Sequence, residues 1–183
     1  MSDPDDGGDG EPDARTAERT PNVLAMAFWD DVVADMEATA DEYESDGWET
    51  AQLHPGDVTV LPGETPDGEE TAHWGLDVLV PDNEFDDLAA LFDRGVSFDA
   101  CQVFKGDAGG VVFLVVAMED SAAEVAVLYP VYYRHPDPDT TALFERADEA
   151  GALFSYLRRL GGEYVELRHD DPTLFEPPAV DEE

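Results

Sequence analysis

SFDACQVFKGDAGGVVFLVVAMEDSAAEVAVLYPVYYR, residues 97–134, decides the fold. It holds three β-rich runs, Ser97 to Lys105, Val111 to Met118 and Glu124 to Arg134. The five residues Gly106-Asp107-Ala108-Gly109-Gly110 join the first two, and Glu119-Asp120-Ser121 lead towards the third. Short polar, glycine-bearing links between β-branched and aromatic runs predict an antiparallel three-stranded meander. The middle run, Val-Val-Phe-Leu-Val-Val-Ala-Met, has no polar alternation, which predicts a strand buried on both faces. Helices are therefore expected to cover both sides of the sheet.

Outward from this stretch, Ala25, Trp29, Val33, Met36, Ala40 and Tyr43 recur at steps of three and four with acids between them, predicting an amphipathic helix from about Asn22 to Gly47. Glu49 to His54 and Val58 to Leu61 read as short strands around the turn pair Pro55-Gly56, and His73 to Val80 as another. Pro81-Asp82-Asn83 opens a helix with Phe85, Leu88, Leu91 and Phe92 inward, stopped by Gly95. Leu143, Ala147, Ala150, Phe154 and Leu157 continue a helical spacing from a cap at Asp139 or Thr140 to Gly161-Gly162, with Gly151 as a weak point, and Tyr164 to Arg168 alternates as a last strand.

The predicted fold class is α+β: an antiparallel sheet built on the meander with helices on both faces. That order resembles the profilin-like and roadblock-type sandwiches in topology only, over residues 22–160, and implies no function. Residues 1–21, with seven acids, two arginines and several Gly and Pro, read as a disordered acidic tail; 22–172 as one domain; 173–183 as an acidic C-terminal tail.

Charge bounds the function. The formal net charge is −36, and Lys105 is the only lysine. Like charge of that size strains a compact chain in dilute buffer, where the Debye length is about 10 Å at 0.1 M salt, and much less where molar salt shrinks it to about 3 Å. With 43% hydrophobic residues the acid is a coat over a core rather than a sign of disorder. A halophilic cytoplasmic protein is expected, with hydrated potassium or sodium ions on its surface. The same field repels phosphate backbones and anionic lipid, so neither nucleic acid nor membrane is an expected partner. The longest apolar run, Val111 to Met118, falls far short of the roughly 20 residues a spanning helix needs. Neither export nor membrane insertion is predicted.

Three phrases carry a resemblance at the level of sequence: Gly-Trp-Glu-Thr-Ala-Gln-Leu-His-Pro-Gly-Asp-Val-Thr-Val (47–60), Gly-Leu-Asp-Val-Leu-Val-Pro-Asp-Asn-Glu-Phe (75–85) and His-Asp-Asp-Pro (169–172). They resemble an uncharacterised haloarchaeal domain-of-unknown-function family over roughly residues 25–175. The resemblance implies a haloarchaeal cytoplasmic origin and brings no activity or site.

Chemistry is sought first at the four histidines. Tyr132, Tyr133, Arg134 and His135 fall together where a strand leaves a buried sheet, and alternation sends Tyr132 and Arg134 to one face. Arginine clamps carboxylate or phosphate while tyrosine supplies a stacking wall, so Tyr132, Arg134 and His135, joined by His73 from a neighbouring strand, are the candidate ligand-binding residues. The competing explanation is an arginine paired with a surface carboxylate. His54, before the Pro55-Gly56 turn, and His73, at a strand start, are placed so that both could reach one sheet edge, but finishing a turn or bonding backbone is the commoner role of such histidines. His169-Asp170-Asp171 and the pair Asp137 and Asp139 match no calcium or zinc spacing, so no metal or other cofactor is expected. Cys101 reads as a packed core thiol, and glycines 106, 109 and 110 as hairpin glycines rather than a phosphate loop. No catalytic signature is present. The leading expectation is a non-catalytic protein-binding or scaffold domain that pairs with itself or with another protein, with Trp48, Trp74 and Tyr133 as anchors if they face solvent. A small-molecule or anion sensor, or a small enzyme, using the Tyr132 pocket is the alternative.

Overall fold

The computed structural model describes residues 14–178, with side chains from Phe28 onward. The chain runs α1 (Ala14–Ser45), β1 (Glu49–Gln52), β2 (Asp57–Leu61), β3 (Gly75–Leu79), α2 (Asp82–Asp93), β4 (Ala100–Ala108), β5 (Val111–Asp120), β6 (Val125–Arg134), α3 (Pro138–Ala150), β7 (Leu153–Arg158) and β8 (Tyr164–His169), then a 3₁₀ turn at Pro172–Phe175. These strands form two four-stranded mixed sheets, ordered β1-β6-β5-β4 and β2-β3-β7-β8.

The meander is present as β4-β5-β6, antiparallel throughout, but as three strands of four: β1 adds in parallel on the far side of β6, with Glu49 opposite Val125. The single antiparallel sheet flanked by helices on both faces is thus corrected, and with it the profilin-like and roadblock-like topology. The doubly buried middle strand is found. Val112, Leu114, Val116 and Met118 of β5 enter one core, and Val111, Phe113, Val115 and Ala117 the other. α1 covers the second set with Val32, Met36 and Ala40. The first set meets the other sheet instead of a helix, packing with Val58, Leu76, Val78, Leu153, Leu157 and Leu167. α2 adds Phe85, Leu88 and Leu91 to this core, and α3 adds Leu143 and Ala147.

The second sheet exists because the expected third helix ends early. Gly151 adopts φ +75° as a left-handed cap whose N–H donates to the Ala147 carbonyl, and the chain restarts as β7, buried from Leu153 to Leu157. β7 then pairs in parallel with β3 and antiparallel with β8. Two boundaries also shift. α1 begins at Ala14 rather than near Asn22, so the tail expected over 1–21 is helix from residue 14, and residues 1–13 lie outside the described residues. At the other end Phe175 is fully buried, so packing continues past 172, where the C-terminal tail was expected to begin; residues 179–183 lie outside the described residues.

Candidate functional site

The predicted Tyr132 pocket is only half assembled. Tyr132 and Arg134 do share a shallow depression of about 250 Å³ between β6, β2 and the start of α3. Tyr132 packs edge-on against Trp29 of α1 at 5.5 Å, and Arg134 is exposed at the strand end. Among the described residues Arg134 makes no ion pair. The depression is nonetheless poor for an anion. Asp137 and Asp139 line it, and Asp57 helps raise the Tyr132 phenol pKa after burial has done so first. The free N–H groups of α3 are already spent, because Asp137 accepts from the Asp139 amide at 2.9 Å and the Thr140 amide at 3.3 Å.

His135 and His73 stand outside this wall. His135 is exposed, its N–H donating to the Gly110 carbonyl at 2.9 Å. His73 stacks on Tyr156 at 4.4 Å and meets Tyr164 edge-on at 5.8 Å, on the other sheet's outer face. His54 follows β1 while His73 precedes β3, so the two belong to different sheets, and His54 bonds Glu84 of α2 through Nδ1 at 2.7 Å. The expected aromatic anchors are occupied too. Tyr133 is buried and donates to the Phe175 carbonyl at 2.5 Å; Trp74 donates to the Ala152 carbonyl at 2.9 Å beneath the Arg146 guanidinium; Trp48 packs on Tyr43.

A better-built site lies where β7, β8 and β6 meet. Tyr129, Ser155 and His169 point inward from three strands into the shared core, which alternation alone dictates. Ser155 Oγ lies 2.8 Å from the Tyr129 hydroxyl and 2.8 Å from His169 Nε2. His169 is 2% exposed and its Nδ1 has no hydrogen-bond partner among the described residues. Burial is the main reason its pKa falls to about 4, with Asp170 opposing. The ring is neutral at pH 7. Proton counting then fixes the tautomer: Tyr129 to Ser155 to Nε2 satisfies both hydroxyl protons and leaves only Nδ1–H unpaired, whereas the reverse direction leaves the Tyr129 proton and the Nδ1 lone pair both unpaired.

His169 also lines a cleft of about 310 Å³ between β4, β8 and the 3₁₀ turn, with Phe98, Cys101, Met118 and Leu174 as apolar wall. A serine and a histidine at hydrogen-bond distance have the form of a nucleophile and base, but Ser155 is fully buried and its hydroxyl is engaged. Burial, then the Glu119 carboxylate, push the Cys101 thiol up to about 12, so it stays protonated. Among the described residues no three His, Cys, Asp or Glu side chains converge as metal ligands. Sequence reading weighed His169 only with its acidic neighbours; the signal missed was its inward phase on an alternating strand.

A third feature is a groove of about 270 Å³ beside α1. α1 covers β1, β6 and β5. On the same side of the sheet Phe104 of β4 remains 47% exposed, and Phe28, packed on Phe113, remains 37% exposed. Asp31, Asp35 and Asp107 edge the groove, with Lys105.

Among the described residues, fold and clefts thus define an α+β domain of two mixed four-stranded sheets with an interior polar chain and a strip at the edge of the first sheet that α1 does not cover. The model of the Family of unknown function (DUF7529) matches residues 14–177, and the chain belongs to that family. No curated protein and no solved structure matches it significantly. No helix among the described residues is long and apolar enough to cross a membrane.

Proposed function

We propose that this domain is a non-catalytic protein-binding module and that its docking surface is the groove between α1 and β4. The observation that carries the reading is the pair Phe28 and Phe104, two exposed aromatics that line one groove over a strip of sheet left bare among the described residues. Elsewhere the same sheet face is covered by a helix, so the occupant that completes the layer is a second helix lying alongside α1. Its apolar stripe would meet Phe28, Val32 and Phe104, and the rim acids Asp31, Asp35 and Asp107 call for Lys or Arg on its flanks. The acidic coat supports a high-salt, cytoplasmic setting, with potassium or sodium ions loosely held at the surface.

The test is a photo-crosslinking amino acid at position 104, irradiated in the source cells, with the crosslinked peptide sequenced. A single amphipathic, basic-flanked helix of another protein, lost on Phe28→Asp, is the expected result. Crosslinks to α1 of a second copy would replace the partner by a homo-oligomer, and background labelling alone would remove the docking surface.

A further inference from the structure

We propose that residues 171–178 form a salt-operated latch: they close over the edges of the two sheets at molar salt and let go, ahead of the rest of the fold, as salt falls. The segment leaves the end of β8, and its 3₁₀ turn, Pro172–Phe175, lies against both β4 and α3. It belongs to the ladder of neither sheet. One apolar plug and two side chains hold it. Phe175 is fully buried, its ring 4.5 Å from that of His169, and Pro172 is buried with it. Tyr133 of β6 donates to the Phe175 carbonyl at 2.5 Å. Lys105 of β4 donates through Nζ to the carbonyls of Glu176 at 2.7 Å and Thr173 at 3.3 Å.

Charge opposes closure. Glu176 of the segment meets Asp148 of α3 carboxyl to carboxyl, and Asp171 is close enough to act on it. Burial first, then Asp148, hold the Glu176 carboxyl above the usual carboxylate range; Asp171 adds to the rise and Lys105 opposes it. The Tyr133 phenol is raised by burial and next by the same Glu176 charge, so it stays a neutral donor. Lys105 is the only cation among the groups that act on Glu176, and its Nζ bonds main-chain carbonyls instead of a carboxylate. Beyond the segment the sequence adds Asp181, Glu182 and Glu183. Repulsion among Asp148, Asp171 and Glu176 spans the junction where the Debye length is about 10 Å, at 0.1 M salt, and is largely screened where it is about 3 Å, at 1 M. The Phe175 plug carries no charge and has no such dependence. Opening breaks no strand pairing, so it is a local event that uncovers His169 and frees Leu174 and Phe175. Lys105 alone belongs both to this junction and to the groove beside α1, and the two proposals stand or fall separately.

The experiment is hydrogen–deuterium exchange of the full chain at pH 7.5, read by mass spectrometry as KCl is lowered from 2 M to 0.05 M. Peptides covering 171–178 are compared with peptides covering β5 and β6. The segment is expected to lose protection at a KCl concentration about threefold or more above that at which β5 and β6 lose theirs. Glu176→Gln and, from the other side of the junction, Asp148→Asn should each lower the segment's midpoint about twofold or more, and Lys105→Met should raise it by a similar factor. The midpoint of β5 and β6 should move less in all three. Either carboxylate variant carries the test if the other does not fold. Segment and sheet opening at one KCl concentration, a segment still protected at 0.05 M or already open at 2 M, midpoints indifferent to the carboxylate variants, or a Lys105→Met midpoint no higher than that of the wild type would each overturn the latch.

Discussion

His169 holds a neutral imidazole where a charge cannot be solvated, and this makes it the residue through which pH acts on the interior. Its pKa lies at about 4 in the fold and near 6.5 in an unfolded chain, so between these values the unfolded state binds the extra proton. The stability it contributes is complete above pH 6.5 and is lost as pH falls towards 4. The loss is on the order of 3 kcal/mol. Urea midpoints in 2 M KCl at pH 7.5 and 4.5 should differ more for the wild type than for His169→Gln; equal differences would show that the ring is not the titrating group. At this scale the sequence brings Tyr132 and Arg134 to one depression, while the fold sets His73 and His135 outside it. Tyr132 and Arg134 are neighbours on one face as period-two alternation requires, but His73 was joined to them across a boundary between sheets that no local pattern marks. Ser155 and Tyr129 drew no notice, because a serine inside an apolar run and a tyrosine before proline carry no motif; only the third dimension brings them to His169.

Among the elements, β5 was legible and β7 was not, and the reason is the same in both cases. An unbroken apolar run of eight residues has one reading, burial on both sides, and the structure supplies two separate cores for it. Leu143, Ala147, Ala150, Phe154 and Leu157 keep a three-and-four spacing across Gly151, so periodicity carried the helix through a residue whose left-handed backbone ends it. The parallel pairing that β7 then makes with β3 depends on a close approach at Gly75. A Cβ there would stand 1.9 Å from the Phe154 carbonyl oxygen, and φ is +152°. Backbone cannot yield as a side chain tip can, so Gly75→Ala is expected to cost about 3 kcal/mol or more. Gly56, whose added Cβ meets nothing within 4 Å, is the control, and Gly56→Ala should stay within about 0.5 kcal/mol. Denaturation midpoints in molar salt measure both. A tolerated Gly75→Ala would mean that the two strands pair less closely than described.

For the molecule as a whole, the net charge of −36 has few internal answers. Among the described residues Arg94, Arg146, Arg158, Arg159 and Arg168 make ion pairs, Arg159 alone meeting Asp82, Asp86 and Glu163, and these are surface contacts of small individual worth. Screening has to do the rest. Circular dichroism and thermal midpoints should show loosening or unfolding as KCl is lowered from 2 M to 0.05 M; curves that superimpose would mean the coat imposes no strain. The order in which strands enter the two sheets has a kinetic side as well. The chain visits the first sheet with β1, the second with β2 and β3, returns for β4 to β6, and leaves again for β7 and β8. Its two parallel pairings, Glu49 beside Val125 and Gly75 beside Phe154, each close a long stretch of chain. The core on the inner face of β5 takes in β2, β3 and α2 but is complete only when the C-terminal hairpin of β7 and β8 joins it. Such contacts are far apart along the chain and slow to find. During synthesis the inner core of the most apolar strand therefore stays incomplete until the C-terminal hairpin has been made, and the like charge of the acidic chain holds such incomplete folds apart from one another.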